Sequence, residues 1–191
     1  MSLTKHRNPI LGAGMIITAT ILFGLNGSTA KTIMQTGVTA EQITLFRSLS
    51  AALIAGLFMF ARNRESFTVA KSEWKWLAAL GFAGVGLMQW SYANAVANLP
   101  VGVALLIQYT AIILVPIAGL VLFKTRVSKR LWLGVVLVLS GLVVVSQIWQ
   151  SSLSAIGLVY GAVAAIATTI YYMIGEHVHK TRDAFSTLFY S

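Results

Sequence analysis

Between positions 98 and 146 the chain reads NLPVGVALLIQYTAIILVPIAGLVLFKTRVSKRLWLGVVLVLSGLVVVS. Residues 100–123 carry no charge, and neither do residues 131–146; Lys124, Arg126, Lys129 and Arg130 sit between them. A helix of about 20 apolar residues crosses the hydrocarbon core of a bilayer. Both runs reach that length once Trp149 ends the second at the interface. The basic turn stays in water, because each charge in hydrocarbon costs about 3 kcal/mol or more. The stretch therefore predicts a transmembrane hairpin with its bend on one side of a membrane.

Four further apolar segments take their places around this hairpin: 10–34, 43–61 and 76–97 before it, and 154–175 after it. A lipid-exposed backbone must satisfy its own hydrogen bonds, which leaves helices or a closed barrel. Barrel strands alternate over short segments, and these runs are continuous. The expected class is all-α, a polytopic membrane protein with six transmembrane helices. Only 10% of the residues are charged and 57% are hydrophobic, where a soluble domain carries about a quarter charged. The net charge of +9 does not form a basic face for nucleic acid, since its residues are scattered between apolar spans. No cysteine is present, so disulfides, thiolate metal sites and cysteine nucleophiles are excluded. The first apolar run is too long for the h-region of a signal peptide and has no small-residue cleavage site behind it, and residues 1–9 read as a polar tail.

Twelve of the 14 Lys and Arg fall on one side of the predicted spans: Lys5, Arg7, Arg62, Arg64, Lys71, Lys75, the four of the hairpin bend, Lys180 and Arg182. The connections near 36–42, 98–100 and 150–152 have none. Positive loops remain in the cytoplasm, so the N-terminus is expected there. Trp74, Trp76, Trp132 and Trp149 lie near helix ends, as interface anchors do.

The two remaining cations, Lys31 and Arg47, lie inside apolar segments. Two readings stand. Both can snorkel to the interface, or face a water-filled cavity and attract an anionic group, as intramembrane charges often do. Glu41 is a possible ion-pair partner for either. Asn26, Gln89, Tyr92, Asn94, Gln108, Tyr109, Thr110 and Gln147 also fall at helix depth. Gln89, Tyr92 and Val96 share a face by their spacing. Taken singly, such residues serve as interhelical hydrogen bonds worth about 1 kcal/mol; their concentration in helices 1, 3 and 4 favours a polar central pathway. Gly12, Gly14, Gly81, Gly84, Gly134, Gly141, Gly157 and Gly161 are expected at close helix contacts. Pro116 is a candidate kink or hinge in helix 4. His177 and His179 lie two apart beside Glu176, but with Lys180 and Arg182 adjacent they read as a polar linker rather than a metal site. No catalytic constellation is present, so neither an enzyme nor a cofactor is expected.

TLFRS at 44–48 recurs as TLFYS at 187–191, and GAGMIITATILFG from Gly12 corresponds to GLVYGAVAAIATT from Gly157. The offsets, 143 and 145 residues, imply a five-helix unit. An odd unit re-enters the membrane inverted, which is a common plan of secondary transporters. Residues 10–150 would then be the first repeat, and 151–191 the truncated start of a second.

These residues resemble the EamA-like transporters of the drug/metabolite transporter superfamily. Phe23, Gly24, Asn26 and Lys31 match an aromatic-Gly-x-Asn stretch followed by lysine; Arg47 in TLFRSLSAALIAGLF matches an arginine followed by small residues; 92–145 is similar in order and spacing to helices three to five. Ile112 stands where many members carry proline, and Lys124 where many carry glutamate, so proton coupling at that bend is not expected. The resemblance implies a ten-helix carrier of two inverted repeats in a bacterial inner (cytoplasmic) membrane. It would move amino acids, purine-like compounds or other small metabolites, often outward. The expected pathway residues are Asn26, Lys31, Arg47, Gln89, Tyr92, Gln108 and Tyr109. Its partners are a small-molecule substrate, the lipid bilayer, and the rest of the second repeat or a second chain. The competing reading is a non-transporting membrane subunit, with the polar residues as interhelical glue.

Overall fold

A computed structural model describes residues 9–62, 69, 73–124, 127–150, 152–178 and 184–190. The expectations on Lys5, Arg7, Arg64, Lys71, Arg126, His179, Lys180, Arg182 and Ser191, and on the side chains of Phe23 and Arg62, lie outside these residues. Among the described residues every element is helical. Proline at the first position of α1 (Pro9–Met34) presets φ where the N–H would be unpaired anyway. Gly37, at φ 94°, turns the chain. A reciprocal box then starts α2 (Ala40–Arg62): Thr39 N–H donates to Gln42 Oε1 at 3.0 Å, and Gln42 N–H to Thr39 Oγ1 at 3.3 Å.

The third segment is helical from Trp74 to Asn98 in three pieces: α3 (Trp74–Ala79), a π-helical stretch (Leu80–Gly86) and α4 (Leu87–Asn98). The fourth is also divided. α5 (Val101–Gln108) and α6 (Ala111–Phe123) meet at Tyr109–Thr110, where Thr110 N–H bonds Ile107 O and Ile112 N–H bonds Tyr109 O, three residues back rather than four. Thr110 Oγ1 also donates to Ile107 O at 2.6 Å. Pro116, expected to mark the bend, sits inside α6, and the break falls before it. Proline leaves the Ile112 carbonyl without its usual donor and crowds the turn ahead of it. α7 (Lys129–Ser146) starts on Ser128, whose hydroxyl accepts from Leu131 N–H at 3.3 Å. α8 (Ala155–Val178) and α9 (Ala184–Tyr190) complete the chain.

Among the described residues five helical runs are long and apolar enough to cross a membrane: Gly12–Met34, Ala40–Ala61, Val101–Leu122, Lys129–Ser146 and Ala155–Val178. The sixth expected span, 76–97, is not among them. Its helix is long enough, but Gln89, Ser91, Tyr92 and Asn94 lower its apolar content, and Ser91 and Tyr92 are buried inside the bundle. The lipid-length helices turn side chains such as Met15, Leu57, Leu137 and Val145 outward.

α8 is the central helix. Of its apolar window 39% is buried, against 11 to 17% for the other four spans. It packs on α4, the π stretch, α5 and α6. Small residues permit this. A Cβ on Gly157 would lie 2.5 Å from Leu99 Cγ, one on Gly161 would lie 2.9 Å from Ile107 Cγ2, and Ala164, Ala165 and Ala167 are buried beside them. Tyr92, Ala95, Val96, Leu99, Val103, Ala104 and Ala164 form the main core. A second cluster, Leu77, Leu80 and Val178, closes the other end with Tyr171 and Ile174. Gly12, Gly14, Gly134 and Gly141, expected at helix contacts, meet nothing within 4 Å; they lie on the outward faces of α1 and α7. Replacing Gly157 with valine should destabilise the protein by about 1–3 kcal/mol through overpacking. Gly134→Ala should change stability by less than about 0.5 kcal/mol. Unfolding of both variants in mixed micelles checks the pair.

Candidate functional site

The α4–α5 hairpin carries most of the polar side chains, and its neighbours determine what each one meets. Leu99 is extended, as a residue before proline prefers, so α4 stops at Asn98 and its last carbonyls lack helical donors. Lys31 supplies them. Its Nζ donates to Val96 O at 3.0 Å and to Leu99 O at 2.5 Å. A cation at a helix C-terminus is also favoured by the helix dipole. Lys31 thus neither snorkels nor pairs with Glu41; it clamps α1 to the α4–α5 bend. Glu41 takes hydrogen bonds from Thr39, Trp90 and Asn94. A cleft of about 370 Å³ opens beside this clamp, lined by Lys31, Met34, Gln35, Val38, Thr39, Ala40 and Ala97.

Deeper between the helices, Arg47 on α2 donates from Nη2 to Gln89 Oε1 on α4 at 3.1 Å. Tyr92, one turn on, is 4% exposed and lies within electrostatic reach of both Arg47 and Tyr109. Its hydroxyl fills space that a side chain on Gly27 would need: a Cβ there would lie 2.6 Å from it. Asn26, next to Gly27, is half-buried on α1. Tyr92 therefore joins α1, α2, α4 and the start of the α5–α6 break.

A second polar group faces α8. Gln108 Nε2 donates to Thr168 Oγ1 at 3.2 Å, and Thr168 in turn donates to Ala164 O at 2.7 Å. Gln108 Oε1 and Ser91 Oγ are buried without a hydrogen-bond partner. Each lies eight residues from the Leu99–Pro100 turn, on opposite arms of the hairpin, and so at similar depth. Unmet buried polar atoms cost about 1–3 kcal/mol each and mark a place where a donor fits. Tyr109 neighbours Tyr172 on α8, which is edge-on to Tyr171 at 5.5 Å between rings.

Of the expected residues, the structure thus pairs Arg47 with Gln89 and sets Tyr92 one turn on, within electrostatic reach of Arg47 and Tyr109, with Asn26 on the adjoining face of α1. Gln108 belongs to the α8 side, Lys31 to the clamp, and Pro116 to the interior of α6. Sequence reasoning missed Ser91, Thr168 and Tyr172. Ser91 lies between Gln89 and Tyr92 in sequence but two residues from the first and one from the second, so the face argument that joins those two does not reach it. Thr168 and Tyr172, four apart on α8, lie in an apolar segment from which only Gly157 and Gly161 were singled out. His177 lies against Trp76, with ring centroids 4.7 Å apart and the planes tilted by 44°. Among the described residues no group of three or more His, Cys, Asp or Glu is placed to hold a metal ion.

The model of the EamA-like transporter family matches residues 10–147. The chain belongs to the EamA-like transporter family. With five helices of membrane length, this EamA-like chain is an integral membrane protein, and its family is one of transporters in the drug/metabolite superfamily rather than enzymes. No curated protein and no solved structure matches it.

Lys31→Met should strand two carbonyls and destabilise the EamA-like fold by about 1–3 kcal/mol, whereas Lys31→Arg keeps a donor and loses less. Reversible unfolding in mixed micelles measures both.

Proposed function

We propose that the chain is the first repeat and part of the second of a secondary transporter that carries small metabolites, such as amino acids, across a bacterial inner membrane, usually outward. The observation that carries this reading is the meeting of Arg47, Gln89, Tyr92 and Tyr109 between helices whose outer faces are apolar. A structural subunit gains little from holding a cation at that depth, where it costs about 3 kcal/mol on insertion scales. A carrier needs polar groups where its solute crosses. Asn26 and Gln108 extend the lining, and Lys31 fixes one mouth of it. Alternating access would come from one five-helix unit rocking against its inverted counterpart about this site. Residues 10–150 would supply the first unit, with the other completed by residues beyond 150 together with further helices of the same or a second chain.

Counterflow in proteoliposomes, with amino acids, nucleobases and organic anions offered in turn, tests the reading. At least one solute should exchange. Tyr92→Phe and Gln89→Leu should lower its rate about tenfold or more while folding stays intact. Absence of exchange for every solute, with the same variants disturbing assembly, would favour the non-transporting subunit.

The orientation is open to a direct check, because the chain has no cysteine of its own. Single cysteines at Gly37 and Ser152 should react with an impermeant maleimide in intact cells. Cysteines at Arg64 and Lys129 should react only after the membrane is opened.

A further inference from the structure

Resting on the transport reading, one feature narrows the solute. The Arg47 guanidinium offers five N–H donors in a planar fork and stays charged at any physiological pH. The structure gives it a single side-chain acceptor, Gln89 Oε1, which is a neutral amide. The nearest acid along α2, Glu41, is engaged by Thr39, Trp90 and Asn94 on the first turn of the helix. The other acids among the described residues, Glu73 and Glu176, lie at the opposite end of the bundle, before α3 and near the end of α8. Lys31, the other cation inside a span, is occupied by the Val96 and Leu99 carbonyls. Arg47 is therefore a half-buried cation without a counter-charge among the described residues, held in place by an amide and bordered by the Tyr92 phenol.

We propose that Arg47, oriented by Gln89 and flanked by Tyr92, is a carboxylate-recognition site, so that the solute is a small molecule bearing a carboxylate. The fork of an arginine matches the two oxygens of a carboxylate side by side. Gln89 occupies one N–H and fixes the plane of the group, which leaves further donors for the incoming anion. A lysine at this position would supply charge without the fork.

The test is equilibrium binding of radiolabelled benzoate to the purified full chain in uncharged maltoside micelles, with benzamide as the neutral isostere. Benzoate should bind saturably, and benzamide should compete about tenfold or more weakly. Arg47→Gln should weaken benzoate binding about tenfold or more, and Arg47→Lys by less than that. Gln89→Glu keeps the arginine and sets an internal carboxylate beside it; it should block benzoate as fully as Arg47→Gln does. Equal binding of benzoate and benzamide overturns the assignment, as does benzoate binding that survives both Arg47→Gln and Gln89→Glu. Loss of benzoate binding in nanodiscs of anionic phosphatidylglycerol, with binding intact in phosphatidylcholine, gives Arg47 to lipid headgroups and also overturns it. Counterflow separates this from the broader reading: exchange of uncharged solutes without benzoate binding sinks only the carboxylate site. Arg47-dependent benzoate binding without any exchange leaves the site and sinks the transport reading.

Discussion

The approach of α8 to the α4–α5 hairpin is the contact on which the rest of this structure depends. In lipid no hydrophobic force draws one apolar helix to another, so association rests on close packing and on hydrogen bonds between helices. α8 has both. Gly157 and Gly161 let the Leu99 and Ile107 side chains lie against its backbone, and Thr168 takes the Gln108 amide. Gly84 brings the π stretch to within van der Waals contact of the Tyr171 backbone. Remove this seam and the α4–α5 hairpin would lose the cover that α8 gives to Gln108 and to the Tyr92–Val96–Leu99 core.

The same economy governs the polar atoms elsewhere. Thr18, Thr20, Thr29 and Thr32 on α1 each turn the hydroxyl back to a carbonyl four residues earlier. A threonine-rich helix is thereby made apolar at its surface. Helix ends follow the rule too: Lys31 serves the end of α4, Thr39 and Gln42 the start of α2, and Ser128 the start of α7. The atoms left unmet, Ser91 Oγ and Gln108 Oε1, fall in the interior where the hairpin faces α8. That concentration sets these two atoms apart from the general work of satisfying a backbone in lipid.

The helices were legible because length and apolar content alone identify a span; α1, α2, α7 and α8 end within about three residues of their expected limits. The two interrupted segments were not. The π stretch (Leu80–Gly86) holds three glycines, and apolar length and content carry no signal for the change in hydrogen-bond register there. The break at Tyr109–Thr110 falls upstream of Pro116, the residue from which a bend was expected. For the site, Arg47, Gln89 and Tyr92 stood out as polar residues in apolar runs, and their meeting needed only helix periodicity and a correct neighbour. Lys31 misled because sequence shows a charge at depth but not the carbonyls that Pro100 and the extended Leu99 leave open. The glycines of α1 and α7 misled for the opposite reason: small residues permit close contact but do not require it.

α1 carries one more consequence. Residues 12–22 are all exposed, and its buried positions, Gly27 and Ala30, gather near Lys31 at the Met34 end. It is a rod clamped at one end. About 27 Å of helix separates Gly27 from Pro9, at 1.5 Å per residue. A rotation of roughly 10° at the α4–α5 bend, transmitted through the Lys31 clamp, would sweep the far end of that rod through about 5 Å on the same rise per residue. Lys31 is then the fulcrum of a lever, and a small repacking beside Pro100 becomes a large displacement on the opposite face of the membrane.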